Sequence, residues 1–208
     1  MSRTFTQRDL PHYKPNDAPY FITFNLHGAI PESKREVYRQ TFQQYDNLLH
    51  ELHGEQWLRD ARLAEVVYKK LMWLTSEVAD MYCFTIMSNH VHLMMSLHQE
   101  QDLSDLLRLL KGNTARKCNL LLGRTGTFWQ DERFDRVVRR KEHWPIIHYI
   151  LNNPVRAGLV KHWRDYRWTY LNPGLFPMFE MDQPQVESEL VSIVRIGGLS
   201  AFGSEEAS

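Results

Sequence analysis

Several things are scarce in this sequence, and each shortage excludes something. Only two cysteines, Cys83 and Cys118, stand among 208 residues, and they are not in Cys-x-x-Cys spacing. Neither a disulfide framework nor a cysteine zinc site is therefore expected. Cys83 lies in a strand-like apolar run and reads as a small buried hydrophobe. No apolar run approaches the roughly 18 residues of a membrane span, so no membrane partner is expected. The first residues, Met-Ser-Arg-Thr-Phe-Thr-Gln-Arg-Asp, lack the apolar core of a secretion signal, which makes the cytoplasm the expected location. Net charge is also missing, because 25 Lys and Arg balance 25 Asp and Glu.

That balance hides a segregation. Residues 103–170 hold 14 Lys/Arg against 6 Asp/Glu, and the remainder holds 11 against 19. Separated charge of this kind is the footprint of a half-molecule facing a polyanion, although a solvated basic helix surface gives the same pattern. Apolar residues are plentiful at 43%, enough for one domain of roughly 150 residues with extensions. Residues 1–19, with Pro11, Pro15 and Pro19, read as a polar lead-in, and 20–171 read as the domain. Residues 172–208 read as an acidic, loosely packed extension with a short helix near 186–194.

The periodicities order the domain. Residues 20–27 alternate as a half-buried strand, with Tyr20, Ile22, Phe24 and Leu26 on one side. Helices follow over 32–52 and 59–78. Two strand-like runs flank Ser88-Asn89 as a hairpin. A helix over 103–122 has a basic later half containing Gly112, and a fourth strand lies within 127–139. A short helix over 144–153 ends at Pro154, and residues 155–171 are basic and aromatic. This order predicts an α+β fold, a ferredoxin-like antiparallel sheet with helices on one face.

The centre of the chain is residues 79–97. A strand has period two, so His90 and His92 share a face with Met94 and Ser96. Val91, Leu93, Met95 and Leu97 form the opposite, apolar face, suited to helices, which leaves the imidazoles on the more open side. Two imidazoles on one strand face are two legs of a coordination sphere, and they also fit an ordinary polar sheet surface. In the short helix, Tyr149 and Asn153 are four apart and share a face. Were that helix packed beside the histidine strand, Asn153 would offer an amide oxygen as third ligand, with Tyr149 one turn away. On spacing alone, Tyr149 reads more readily as a core tyrosine with a satisfied hydroxyl.

Taken together, these segments resemble a family. Ser88-Asn-His-Val-His-Leu93 is similar to the HUH motif (His, hydrophobic, His) of single-tyrosine, IS200-like transposases. Tyr149-Ile-Leu-Asn-Asn153-Pro-Val-Arg-Ala-Gly-Leu-Val160 resembles the tyrosine helix of their REP-associated branch. Lys111-Gly112, Gly126-Thr-Phe-Trp129-Gln130, Arg133-Phe134 and Tyr166-Arg-Trp168-Thr-Tyr170 resemble the segments between and after, so the likeness spans roughly residues 13–171. Leu151 stands where the family's helix often carries a histidine, and His148 precedes the tyrosine instead.

The resemblance implies a DNA-nicking and strand-transfer enzyme acting on single-stranded or hairpin DNA, with the tyrosine helix beside the HUH strand. It implies a divalent metal, Mg2+ or Mn2+, on His90, His92 and Asn153. Tyr149 would form a 5′-phosphotyrosine link and leave a free 3′-hydroxyl. Lys111, Arg116, Lys117, Arg133, Arg136, Arg139, Arg140 and Arg156 are the expected DNA contacts, with monomer and homodimer both open. The alternatives are a catalytically silent hairpin-DNA-binding protein on the same fold and a metal-dependent phosphodiesterase that uses water.

Overall fold

The computed structural model describes residues 6–8, 10–12, 18–39, 41–98 and 101–181. A two-stranded antiparallel hairpin, Thr6–Arg8 (β1) with Leu10–His12 (β2), lies where only a lead-in is expected. The main sheet consists of Tyr20–Asn25 (β3), Ala79–Ile86 (β4), His90–Leu97 (β5), Phe134–Val137 (β6) and Thr169–Leu171 (β7). Its order is β6-β3-β5-β4-β7, antiparallel throughout. The helices are Phe42–His50 (α1), Ala61–Glu77 (α2), Leu103–Leu121 (α3), His143–Arg156 (α4) and Phe176–Met181 (α5). The succession β3-α2-β4-β5-α3-β6, with spatial order β6-β3-β5-β4, is the expected ferredoxin-like arrangement. Strand β7 is an addition on the outer edge of β4, formed by residues whose basic and aromatic character carries no clear strand pattern.

Alternation along the strands makes two different faces. On one, Ile22, Phe24, Phe84, Val91, Leu93 and Met95 pack against Leu63, Val67 and Leu71 of α2 and Leu106 and Leu110 of α3. Each such side chain contributes about 1.5–3 kcal/mol by leaving water. On the other, Phe21, Cys83 and Met94 pack against Phe42, Tyr45 and Leu49 of α1 and Ile146, Ile147 and Ile150 of α4. Helices on one face thus holds for α2 and α3, while α1 and α4 cover the face expected to be open. The cause is visible in β3, whose Phe21 makes the second face apolar enough to need cover, so all six of its residues are buried.

Local signals set the helix ends. The expected 32–52 helix is two pieces, a 3-10 segment over Glu32–Arg39 and then α1. A capping box restarts the helix: the Thr41 hydroxyl accepts from the Gln44 amide, and the Gln44 side chain accepts from the Thr41 amide. Asp60 and Asp102 cap α2 and α3. Pro154 does not end α4 as expected, because the helix runs on to Arg156. The proline forfeits only its own amide bond, and the last turn closes through the Ala157 amide on the Asn153 carbonyl at 2.9 Å. The loop before α2 is held against β3's exit by glycine: a Cβ on Gly54, at φ +67°, would lie 2.5 Å from the Gly28 carbonyl oxygen.

The extension begins packed rather than loose. Phe179 of α5 is buried, stacks on His148 of α4 at 4.3 Å between ring centres and meets Trp163 edge-on at 5.7 Å. The helix expected near 186–194 lies outside the described residues. Both cysteines are buried free thiols. Among the described residues, no helix is long and apolar enough to cross a membrane.

Candidate active site

Strand β5 pairs with β3 so that His90 lies opposite Asn25 and His92 opposite Thr23. The two imidazole rings sit on one face, 4.6 Å apart. Each uses Nδ1 to fix its orientation: His90 on the Asn89 Oδ1 and His92 on the Thr23 Oγ1, both at 2.7 Å. The Asn89 amide is itself oriented, since its Nδ2 donates to the Leu49 carbonyl of α1 at 3.0 Å. Its Oδ1 can only accept, so His90 Nδ1 carries the proton and Nε2 presents a lone pair. Both Nε2 atoms are buried without a hydrogen-bond partner.

Helix α4 brings Tyr149 and Asn153 to the same place. The Tyr149 ring lies 5.6 Å from His92 and 5.5 Å from Phe42, edge-on to both. Its side chain is buried, and its hydroxyl has no hydrogen-bond partner. Asn153 donates through Nδ2 to the Tyr149 carbonyl at 3.1 Å, which leaves a buried Oδ1 that only accepts and has nothing to accept from. His90, His92 and Tyr149 form one cluster of rings, and Asn153 is tied to the Tyr149 backbone one turn along α4. Their orphaned atoms suit a cation, because a buried polar group left unpaired costs about 1–3 kcal/mol unless something supplies the missing contact.

Sequence reasoning missed the contribution of α1. Asp46 is fully buried, with Oδ1 3.3 Å from His92 Nε2 and Oδ2 3.6 Å from His50 Nδ1. Asp46, His50 and His90 each offer a ligand atom, and these lie within 4.8 Å of one another. The signal was available, since Asp46-x-x-x-His50 puts a carboxylate and an imidazole on one side of a helix. It was hidden by Tyr45, Leu48 and Leu49, whose apolar stripe reads simply as core.

The electrostatics follow from burial. Burial pushes His90 well below the ordinary imidazole range, with His92 and His50 adding to the effect against the pull of Asp46. Burial lowers His92 as well. Burial alone would raise Asp46, but its histidine neighbours, His92 foremost, hold the carboxyl low. Burial, reinforced by Asp46, drives the Tyr149 phenol well above its usual value, and Arg156 works in the opposite direction. Arg156 lies over the Tyr149 ring at 5.1 Å and 3.9 Å from Asp46 Oδ2.

The basic residues do not converge on one surface. Arg156 reaches the site. Arg116, Lys117, Arg139 and Arg140 are exposed, but the first two lie on α3, across the sheet from Tyr149. Lys111, Arg133 and Arg136 are engaged inside the protein. The Lys111 ammonium donates to the Gln130 and Asp131 carbonyls, while Arg133 pairs with Asp135 and Arg136 with Glu142, both at 2.9 Å.

A family model described as transposase IS200-like matches residues 26–153, ending on Asn153 itself. That match covers more than half the chain and places it among enzymes of transposase-type DNA processing. The chain belongs to the IS200-like transposase family. Its fold is that of a REP-associated tyrosine transposase solved bound to a REP hairpin, with a TM-score of 0.50 at 19% identity over 97% of this chain and 93% of that one. A structure described as a transposase from Deinococcus radiodurans R1 aligns with a TM-score of 0.35 at 14% identity, over 70% of this chain and 97% of that one, too loosely to support an argument. No curated protein matches the chain.

Proposed function

We propose that the protein is a metal-dependent enzyme that nicks and transfers single-stranded or hairpin DNA, with Tyr149 as nucleophile. The observation that carries this reading is the buried, unpartnered Tyr149 hydroxyl on a ring 5.6 Å from His92, with His90 Nε2, His92 Nε2 and Asn153 Oδ1 equally unpartnered. In this reading His90, His92 and Asn153 hold a divalent cation, Mg2+ or Mn2+. Bound there, the cation supplies Lewis-acid polarisation of a phosphodiester.

The chain's own residues do the rest. Tyr149 Oη forms a bond to the 5′-phosphorus as the bond to the 3′-oxygen breaks, and the phenolic proton is lost. The departing strand end takes up a proton as a 3′-hydroxyl, and the phosphotyrosine conserves the ester bond for rejoining. Arg156, over the ring, favours the phenolate and the charge that develops on phosphate. Thr23 and Asn89 hold the imidazoles in place. The hairpin bound by the REP-associated structure supports a folded single strand as substrate.

The test is a covalent adduct. Labelled hairpin DNA, protein and Mn2+ are incubated, denatured and run on a gel. The expected result is a shifted band that disappears in Tyr149→Phe and with chelator. Tight binding without an adduct across a varied hairpin pool would instead identify a catalytically silent DNA-binding protein. Nicking that survives Tyr149→Phe would point to water as nucleophile.

A further inference from the structure

We infer that α1 supplies two further ligands, the Asp46 carboxylate and His50 Nε2, to the cation site of the proposed enzyme, and that this donor set selects a transition metal over magnesium. The inference rests on the metal-dependent reading above and concerns residues that the HUH strand and tyrosine helix do not include.

Hydrogen bonding settles which atoms of α1 are available. The His50 Nδ1 lies 2.9 Å from the Asp46 backbone carbonyl, which can only accept. Nδ1 therefore carries the proton, and His50 Nε2 presents a lone pair, buried and without a partner. Both carboxylate oxygens of Asp46 are likewise buried and without a hydrogen bond. With His90, whose ligand atom lies within 4.8 Å of theirs, the cluster is made of groups that accept and do not donate. Acceptors converge in a buried space only where something positive belongs between them. Arg156, at 3.9 Å from Asp46 and 43% exposed, stands beyond hydrogen-bond range of the carboxylate and lies over the Tyr149 ring, not between the acceptors.

The donors also choose the metal. Mg2+ prefers oxygen and keeps its waters, whereas imidazoles favour Mn2+ and later metals. His50 adds an imidazole to the strand pair, and Asp46 adds the negative charge that the pair and Asn153 lack. The Asp46–His92 separation of 3.3 Å shows how closely α1 approaches the strand.

The experiment is calorimetric titration of the metal-free, full-length protein with MnCl2 and separately with MgCl2. Wild type is compared with Asp46→Asn, His50→Gln and His90→Ala, and thermal melting of each metal-free protein checks folding. The expected result is tighter binding of Mn2+ than Mg2+ by wild type, and loss of at least about tenfold in Mn2+ affinity in Asp46→Asn and in His50→Gln. The His50 variant also narrows the preference for Mn2+. Mn2+ affinities within about threefold of wild type in both α1 variants, with none in His90→Ala, would overturn the role of α1 and leave the HUH site standing. No Mn2+ binding by wild type would overturn the metal-dependent reading itself. His50→Gln keeps the test decisive should Asp46→Asn melt early, since His50 is part-exposed at the end of α1.

Discussion

Strand β5 presents opposite chemistry to its two sides. Toward α2 and α3 it offers Val91, Leu93 and Met95, and that face closes as an apolar core. Toward α1 and α4 it offers His90 and His92, and that face closes over a set of polar atoms with no partners. Both bury apolar side chains, but only the second also buries polar atoms that find no partner. An unpaired buried polar group costs about 1–3 kcal/mol, so each orphaned atom offsets part of what the apolar packing of the α1–α4 face contributes. Equal burial therefore conceals unequal roles.

Substitutions on the two faces should separate along that line. The largest effect expected is on chemistry: Tyr149→Phe abolishes the covalent DNA adduct on a denaturing gel. It also raises stability by about 1 kcal/mol in denaturant unfolding, because it removes an orphaned hydroxyl. Across the sheet, Leu71→Ala should cost about 2–5 kcal/mol and leave the Mn2+ affinity of the folded fraction unchanged, as measured by urea melts and calorimetry. A stabilised Leu71→Ala or a destabilised Tyr149→Phe would erase the distinction between the faces. Thr23→Val should lower Mn2+ affinity about 10–100-fold by freeing the His92 ring, with little change in melting temperature.

Smaller effects belong to α3. Nothing lies within 4 Å of a Cβ placed on Gly112, and the structure shows no packing reason for a glycine there. Gly112→Ala should stabilise the protein by up to about 1 kcal/mol in urea melts. Lys111 should reveal itself through pH. Burial, with Arg133 adding to it, lowers its pKa from 10.5 to about 8. Between those values the unfolded chain binds more protons than the folded one, so stability rises with pH across the window. Lys111→Met should flatten that rise when unfolding is followed from pH 8 to 10.

Much of this was legible in the residues. Period-two alternation separates His90 and His92 from Val91 and Leu93, and four-residue spacing pairs Tyr149 with Asn153, because both patterns act along a single element. Asp46 and His50 escaped because their meaning depends on α1 crossing a sheet face that the strand pattern alone leaves open. Strand β7 escaped for a related reason: Thr169–Leu171 is short and gains its regularity by pairing with β4. Three of the basic residues of 103–170 are engaged within the fold. Lys111 spends its charge on backbone carbonyls, and Arg133 and Arg136 pair with Asp135 and Glu142, acids that the charge count of that half already includes.

Asn89 has one further consequence. Its amide holds the α1 backbone with one end and the His90 ring with the other. The nitrogen of His90 that keeps its hydrogen is thus decided by where a neighbouring helix lies. Were α1 to draw away, the amide could turn over, the imidazole could exchange one tautomer for the other, and the lone pair would leave the site with no change in pH. A mechanical displacement would then switch coordination chemistry on or off through a single rotatable bond.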